Sequence, residues 1–280
     1  MRCDSHVHIV GPRDRYPQVE TRTYIAGVAR LDDLKRRGAA RGVSRFVIVQ
    51  PSFYGSDNTL LLETLDELGG QGRGVAVVDP ATPPAELSDY ARRGVRGVRV
   101  NLYSRMRDST GRRFDRIVTD MAEIARPLGW HVEVIAAIET LVTNADVLAA
   151  ATVPIVIDHY GLHGRFDPQS AAGERLLELL RLPHVWIKLS APYRISDDPM
   201  NTRPSKAWVA AITAAAAERC VWGSDWPHTP PHGLMGDANV ELPYRAFSYE
   251  GLVDAFIDAL PSCDLVESIM TDNPARLYGF

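Results

Sequence analysis

Cys220-Val221-Trp222-Gly223-Ser224-Asp225-Trp226-Pro227-His228 is the stretch on which the reading of the fold turns. Its first half, Cys220 to Gly223, is a short apolar run. Its second half leads into a Pro/His/Gly-rich loop. An apolar run without alternation is buried on both faces, as strands of a parallel sheet are. A carboxylate at the end of such a strand, with an imidazole three residues on, suggests an enzyme site.

Working outward, the same pattern recurs at seven earlier places: Arg2 to Val10, Phe46 to Gln50, Val75 to Val78, Val95 to Leu102, Trp130 to Ile135, Pro154 to Asp158 and Val185 to Ser190. Each is followed by a helical pattern. Leu31 to Arg41 stops at Gly42, and a helix capped by Asp57 carries Leu60, Leu61, Leu65 and Leu68 as far as Gly69-Gly70. Further helices start near Pro83-Pro84, end near Arg126, and run over Ile138 to Ala151, Ala172 to Arg181 and Ser205 to Glu218. Two more follow the last strand. Eight βα units in 280 residues fit an α/β fold of the (β/α)8 TIM-barrel type better than an open sheet. No linker or composition break divides the chain, so one domain over residues 1–280 is expected. A doubly wound sheet is disfavoured because no Gly-x-Gly-x-x-Gly follows a strand.

Composition narrows the function. With 45% hydrophobic residues the chain can bury one large core, and a formal charge of -4 provides no basic field for nucleic acid. No apolar run approaches the ~18 residues that span a bilayer. The N-terminus opens on Asp4-Ser5-His6 without a signal-peptide hydrophobic region, so a cytoplasmic protein is expected. Cys3, Cys220 and Cys263 are odd in number and far apart, which fits reduced thiols rather than disulfides or a zinc knuckle. The sequence leaves room for a homo-oligomer.

A barrel places its site at the carboxyl ends of the strands. The polar residues there are His6 and His8, Gln50 and Ser52, Asp79, Arg99 and Asn101, His159, Lys188 with Ser190, and Asp225. Only the end at Ile135 is apolar. His6 and His8 are two apart on a strand and share a face. One buried histidine is more often a satisfied core residue; two at this spacing, with Asp4 before them, point to function. His159 reads equally as a turn residue or a site residue. Asp225, in a dry barrel mouth, must pair with cations or donors or have its pKa pushed upward.

The chain resembles the amidohydrolase superfamily through His6-x-His8 on the first strand, His159 after the sixth and Asp225 after the eighth. Within it the chain is similar to the 2-pyrone-4,6-dicarboxylate lactonase branch. The similarity runs through Asp4-Ser5-His6-Val7-His8-Ile9-Val10-Gly11-Pro12, Gln50-Pro51-Ser52, Gly97-Val98-Arg99-Val100-Asn101, Gly129-Trp130-His131-Val132, Asp158-His159, Lys188-Leu189-Ser190, Trp222 to His228, and Asp272-Asn273-Pro274-Ala275-Arg276-Leu277. The resemblance implies a hydrolase that opens a carboxylated cyclic ester, with Asp225 moving the proton and His6, His8 and His159 polarising the carbonyl. It implies substrate contacts from Tyr24, Ser52, Tyr54, Arg99, Arg105 and Arg194, the three arginines as carboxylate binders. Asn101 at its strand end and His228 beside Pro227 are expected as further substrate contacts.

Metal-dependent members carry a histidine at the end of the fifth strand, where this chain has Ile135. No metal cofactor is therefore expected. The alternative is one zinc or manganese ion held by His6, His8, His159 and Asp225 in a metal-dependent lactonase or an aromatic-acid decarboxylase. A non-catalytic barrel that binds an acidic ligand is the third reading. A family arginine three residues after the sixth-strand histidine is Leu162 here, with Arg165 as its expected replacement. Glu133, buried on the fifth strand, needs a partner that the sequence does not name.

Overall fold

The computed structural model describes residues 1–103, 113–230 and 238–280. Eight parallel strands form one sheet in sequence order: β1 Arg2–Val7, β2 Val43–Val49, β3 Gly72–Ala76, β4 Val95–Asn101, β5 His131–Ile135, β6 Ile155–Ile157, β7 Val185–Ser190 and β8 Cys220–Gly223. Helices follow the strands around the outside, as in a (β/α)8 barrel. The last turn of the barrel closes on β1 at the site itself. The Asp225 N–H donates to the His6 carbonyl at 2.9 Å, and the His8 N–H donates to the Trp226 carbonyl at 2.8 Å.

Below these bonds a side chain takes over the seam. Asp4 Oδ1 accepts from the Ser224 N–H at 2.9 Å, and Asp4 Oδ2 accepts from the Tyr249 hydroxyl at 2.8 Å. Gly223 permits this closeness, since a Cβ there would lie 2.7 Å from His6 Cβ and 2.9 Å from its nitrogen.

Two apolar cores result from the strands' double burial. The larger lies between strands and helices, where Leu34, Leu65, Leu176, Ile212 and Phe256 face inward. The smaller fills the barrel with Cys3, Val47, Val49, Val75, Val156 and Val221, and Tyr278 plugs it from below. Truncating such a fully buried Leu or Ile costs on the order of 2–5 kcal/mol. Among the described residues no helix is long and apolar enough to cross a membrane.

Several boundaries differ from the sequence reading. β1 stops at Val7 rather than Val10, because beyond it the chain pairs with the loop after β8. The helix expected over Ile138 to Ala151 is two, Ile138–Thr143 and Ala145–Ala149, interrupted where the Asn144 side chain donates to the Thr140 carbonyl. Asp57 does not occupy the cap position; that is Asn58, and Asp57 accepts from the Thr59 N–H instead. Ser170, Ser205 and Ser248 do cap their helices through their hydroxyls.

Candidate active site

His6, His8, His159 and Asp225 converge at the carboxyl end of the barrel, all almost completely buried. Asp225 and His159 are held there by left-handed backbone, with φ of 57° and 50°. Non-glycine residues adopt this conformation at a cost, and only where the surrounding structure enforces it.

Asp225 uses its two oxygens differently. Oδ2 accepts from the Tyr193 hydroxyl at 2.6 Å and from Arg194 Nε and Nη2, each at 2.8 Å. Oδ1 makes no hydrogen bond and lies 3.6 Å from His6 Nε2 and 3.4 Å from His8 Nε2. Burial alone would raise this carboxyl. Arg194, the largest opposing influence, outweighs it and holds Asp225 well below the usual carboxylate range. Of the two outcomes open to Asp225 in the sequence, pairing is the one realised.

Each imidazole is anchored by its far nitrogen. His8 Nδ1 donates to the Val49 carbonyl at 2.7 Å, and His159 Nδ1 lies 2.8 Å from Ser190 Oγ. His6 Nδ1 lies 3.1 Å from Lys188 Nζ. Burial, reinforced by Lys188, holds His6 well below the ordinary histidine range; burial does the same to His159. Both are neutral rings. His6 Nε2, His159 Nε2 and Asp225 Oδ1 are buried without hydrogen-bond partners.

Behind this cluster lies a second set of charges. Lys188 hydrogen-bonds Glu133 Oε2 and sits 3.4 Å from Asp158 Oδ1. Arg99 Nε is 4.0 Å from Glu133 Oε1, and Arg99 Nη1 donates to the Gln50 carbonyl at 2.7 Å. Burial and mutual repulsion would raise the Glu133 carboxyl, and burial that of Asp158, yet Lys188 and neighbouring groups hold both below the usual range. Lys188 is thus the partner that Glu133 required. The sequence signals were a lysine in the middle of the apolar run of β7 and a glutamate in the middle of β5. Their meeting across the barrel was not readable without the fold.

The expected substrate contacts divide. Tyr24, Ser52, Arg99, Asn101 and Arg194 line one narrow pocket together with His8 and Ile135. Within it Arg194 is committed to Asp225 and Thr229 rather than open for a ligand. Tyr54 is buried, outside the residues that line the pocket, with its hydroxyl accepting the Gly11 N–H at 3.1 Å. His228 is buried 5.4 Å from the Phe247 ring, and its pKa is pushed down by burial to about 4. Arg165 does not replace the arginine missing at Leu162. Its side chain is 85% exposed and pairs with Asp197 at 3.0 Å, while Leu162 is buried. Asp79 faces solvent in a turn rather than the pocket. Arg105 lies outside the described residues. Sequence reasoning did not single out Tyr193, which reaches Asp225 from the loop after β7.

The donor set suits one metal ion by type and number: three imidazole nitrogens and a carboxylate oxygen. Its charge is another matter. Asp225 is matched by Arg194, and Glu133 and Asp158 by Lys188 and Arg99. Three buried carboxylates thus face three cations, and a divalent ion would add charge to a balanced site.

The fold and this cluster define a class. A profile of the amidohydrolase family matches residues 3–280, and the chain belongs to that family. Among its relatives, a 2-pyrone-4,6-dicarboxylate hydrolase of Comamonas testosteroni is 30% identical, covering 98% of this chain and 89% of its own. A 4-sulfomuconolactone hydrolase of Hydrogenophaga intermedia is 29% identical, covering 99% and 88%. The crystal structure of a probable 2-pyrone-4,6-dicarboxylic acid hydrolase from Acinetobacter baumannii with citric acid bound superposes with a TM-score of 0.79. It is 26% identical and covers 100% of this chain and 99% of its own.

Proposed function

We propose that the protein is a lactone hydrolase acting on a cyclic ester that bears an anionic group, by Asp225-assisted attack of water and without a metal. The observation that carries this reading is the free Asp225 Oδ1, buried opposite His6 Nε2 and His8 Nε2. A water bound there would lose a proton to Oδ1 as its oxygen bonds to the ring carbonyl carbon. The carbonyl oxygen becomes an oxyanion, held by the imidazoles. Collapse of the tetrahedral intermediate breaks the ring C–O bond, and Asp225 returns the proton to the departing oxygen. Because Asp225 is held ionised, it is always ready to accept. Because it is a weak base at rest, it takes the proton only as the C–O bond forms.

The relatives named as hydrolases of carboxylated or sulfonated lactones support the substrate class. Arg99 also lines the pocket, which sets a guanidinium beside an anionic substituent bound there. With Leu162 buried and Arg165 paired outside, the described residues offer fewer cations than the resemblance implies, which favours a substrate with fewer or differently placed anionic groups.

The partnerless nitrogens of His6 and His159 favour a second reading, in which His6, His8, His159 and Asp225 hold a zinc or manganese ion. Such an ion would polarise the carbonyl as a Lewis acid. The balanced charges argue for the first reading.

A turnover screen over carboxylated pyrones, muconolactones and sugar lactones tests the proposal. Hydrolysis of a carboxylated lactone, but not of its methyl ester, is expected. If no lactone is opened, the binding-barrel or decarboxylase reading replaces it.

A further inference from the structure

His6 and His8 stand two residues apart on one strand, yet their far nitrogens face opposite kinds of group. His8 Nδ1 meets the Val49 carbonyl oxygen, which only accepts. His8 Nδ1 therefore carries a proton, and in the neutral ring Nε2 is the acceptor. His6 Nδ1 meets Lys188 Nζ at 3.1 Å. An ammonium has three N–H bonds and no lone pair, so it only donates.

A competing arrangement would have His6 Nδ1–H donate to Asp158, whose Oδ1 lies 3.3 Å away. The geometry opposes it: neither Asp158 oxygen makes a hydrogen bond. Glu133 Oε1 is farther off, 3.8 Å from His6 Nδ1, and also makes none. Lys188 is fully buried, hydrogen-bonded to Glu133 Oε2 and 3.4 Å from Asp158 Oδ1.

We propose that Lys188 is a positioning residue that fixes neutral His6 as the Nε2–H tautomer, opposite to His8. His6 then presents a hydrogen-bond donor, and His8 an acceptor, on the side of Asp225 Oδ1. This divides the work of the lactonase reading, on which the catalytic consequence rests. Asp225 Oδ1 and His8 Nε2, 3.4 Å apart, accept the two hydrogens of the attacking water. His6 Nε2–H, 3.6 Å from the same carboxylate oxygen, donates to the carbonyl oxygen as it becomes negative. The same assignment gives Lys188 a part in metal discrimination, because a nitrogen that carries a proton cannot ligate.

Nitrogen-15 NMR of protein with labelled histidine side chains tests the tautomer directly. His6 is assigned by its absence in His6→Gln. The expected spectrum has the His6 proton on Nε2 and the His8 proton on Nδ1. A His6 proton on Nδ1 in the wild type overturns the proposal, whatever the variants do. In Lys188→Met, which replaces the donor by an apolar chain of similar length, His6 should move to the Nδ1–H form facing Asp158. An unchanged tautomer in folded Lys188→Met would show that Lys188 does not set it. If that variant does not fold, Lys188→Met/Glu133→Gln removes one unpaired charge and is read in the same way.

Turnover is scored separately. Folded Lys188→Met should lose kcat, up to the roughly 10²–10³-fold typical of a lost oxyanion donor. A His6 Nε2–H in a protein that opens no lactone would sink the lactonase reading and leave the tautomer assignment standing.

Discussion

The barrel holds two neighbouring sets of buried polar groups and treats them in opposite ways. In the rear set, Glu133 and Asp158 meet Lys188 and Arg99, and the charges cancel inside the barrel. In the front set, Asp225 is matched from outside the strands by Arg194, whose loop follows β7. One carboxylate oxygen and two imidazole nitrogens are left free there. The rear set is built for balance and the front set for incompleteness. The lesson is that the free atoms in front depend on the closed account behind, because His6 touches both sets through its two nitrogens.

Breaking the front set should show in rate. Asp225→Asn keeps the shape but removes the proposed base, so kcat should fall on the order of 10²–10⁴-fold or more while substrate still binds. Steady-state kinetics with a binding measurement would decide it, and turnover like that of the wild type would remove Asp225 from the mechanism. Breaking the rear set should show in stability. Glu133→Leu leaves Lys188 without its hydrogen-bonded carboxylate, a loss of about 3–5 kcal/mol for an unpaired buried charge. Denaturant unfolding should reveal it, and a cost under about 1 kcal/mol would mean the rear set is not closed as described.

His228 sharpens the comparison from outside both sets. Burial lowers its pKa from 6.5 to about 4, so the unfolded chain binds more protons between those values. Stability contributed by the neutral ring is present above about pH 6.5 and is lost as pH falls toward about 4, some 3 kcal/mol in all. In His228→Gln this part of the acid sensitivity should vanish, as judged by urea unfolding at neutral and mildly acidic pH. An unchanged pH slope would contradict a neutral buried ring. The smallest effect concerns the seam that brings the front set together. Gly223→Ala places a Cβ 2.7 Å from His6 Cβ, and the strands must part at a cost of about 1–3 kcal/mol. Activity should fall further than stability, since His6 itself is displaced. Full activity in that variant would mean that the site tolerates an open seam.

The barrel was legible because its strands are short, apolar on both faces and separated by helical patterns, features that depend on local sequence. The strand-end residues His6, His8, His159 and Asp225 were legible for the same reason: parity and position fix where they point. What the sequence withheld was pairing. Lys188 and Glu133 are 55 residues apart and meet only across the closed barrel. Arg194 looked like a substrate ligand because nothing local shows that its loop folds back onto Asp225. Tyr54 and Arg165 misled in the same way, each in a loop whose direction no periodicity sets.

The central claim is that a charge-balanced site performs lactone hydrolysis without a metal. The most direct measurement follows the hydrolysis of a carboxylated lactone by protein purified without chelator, with metal content determined in parallel, before and after exhaustive chelation. The account predicts turnover that survives chelation in protein holding far less than one metal per chain. Loss of turnover on chelation, with recovery on adding zinc or manganese, would contradict it.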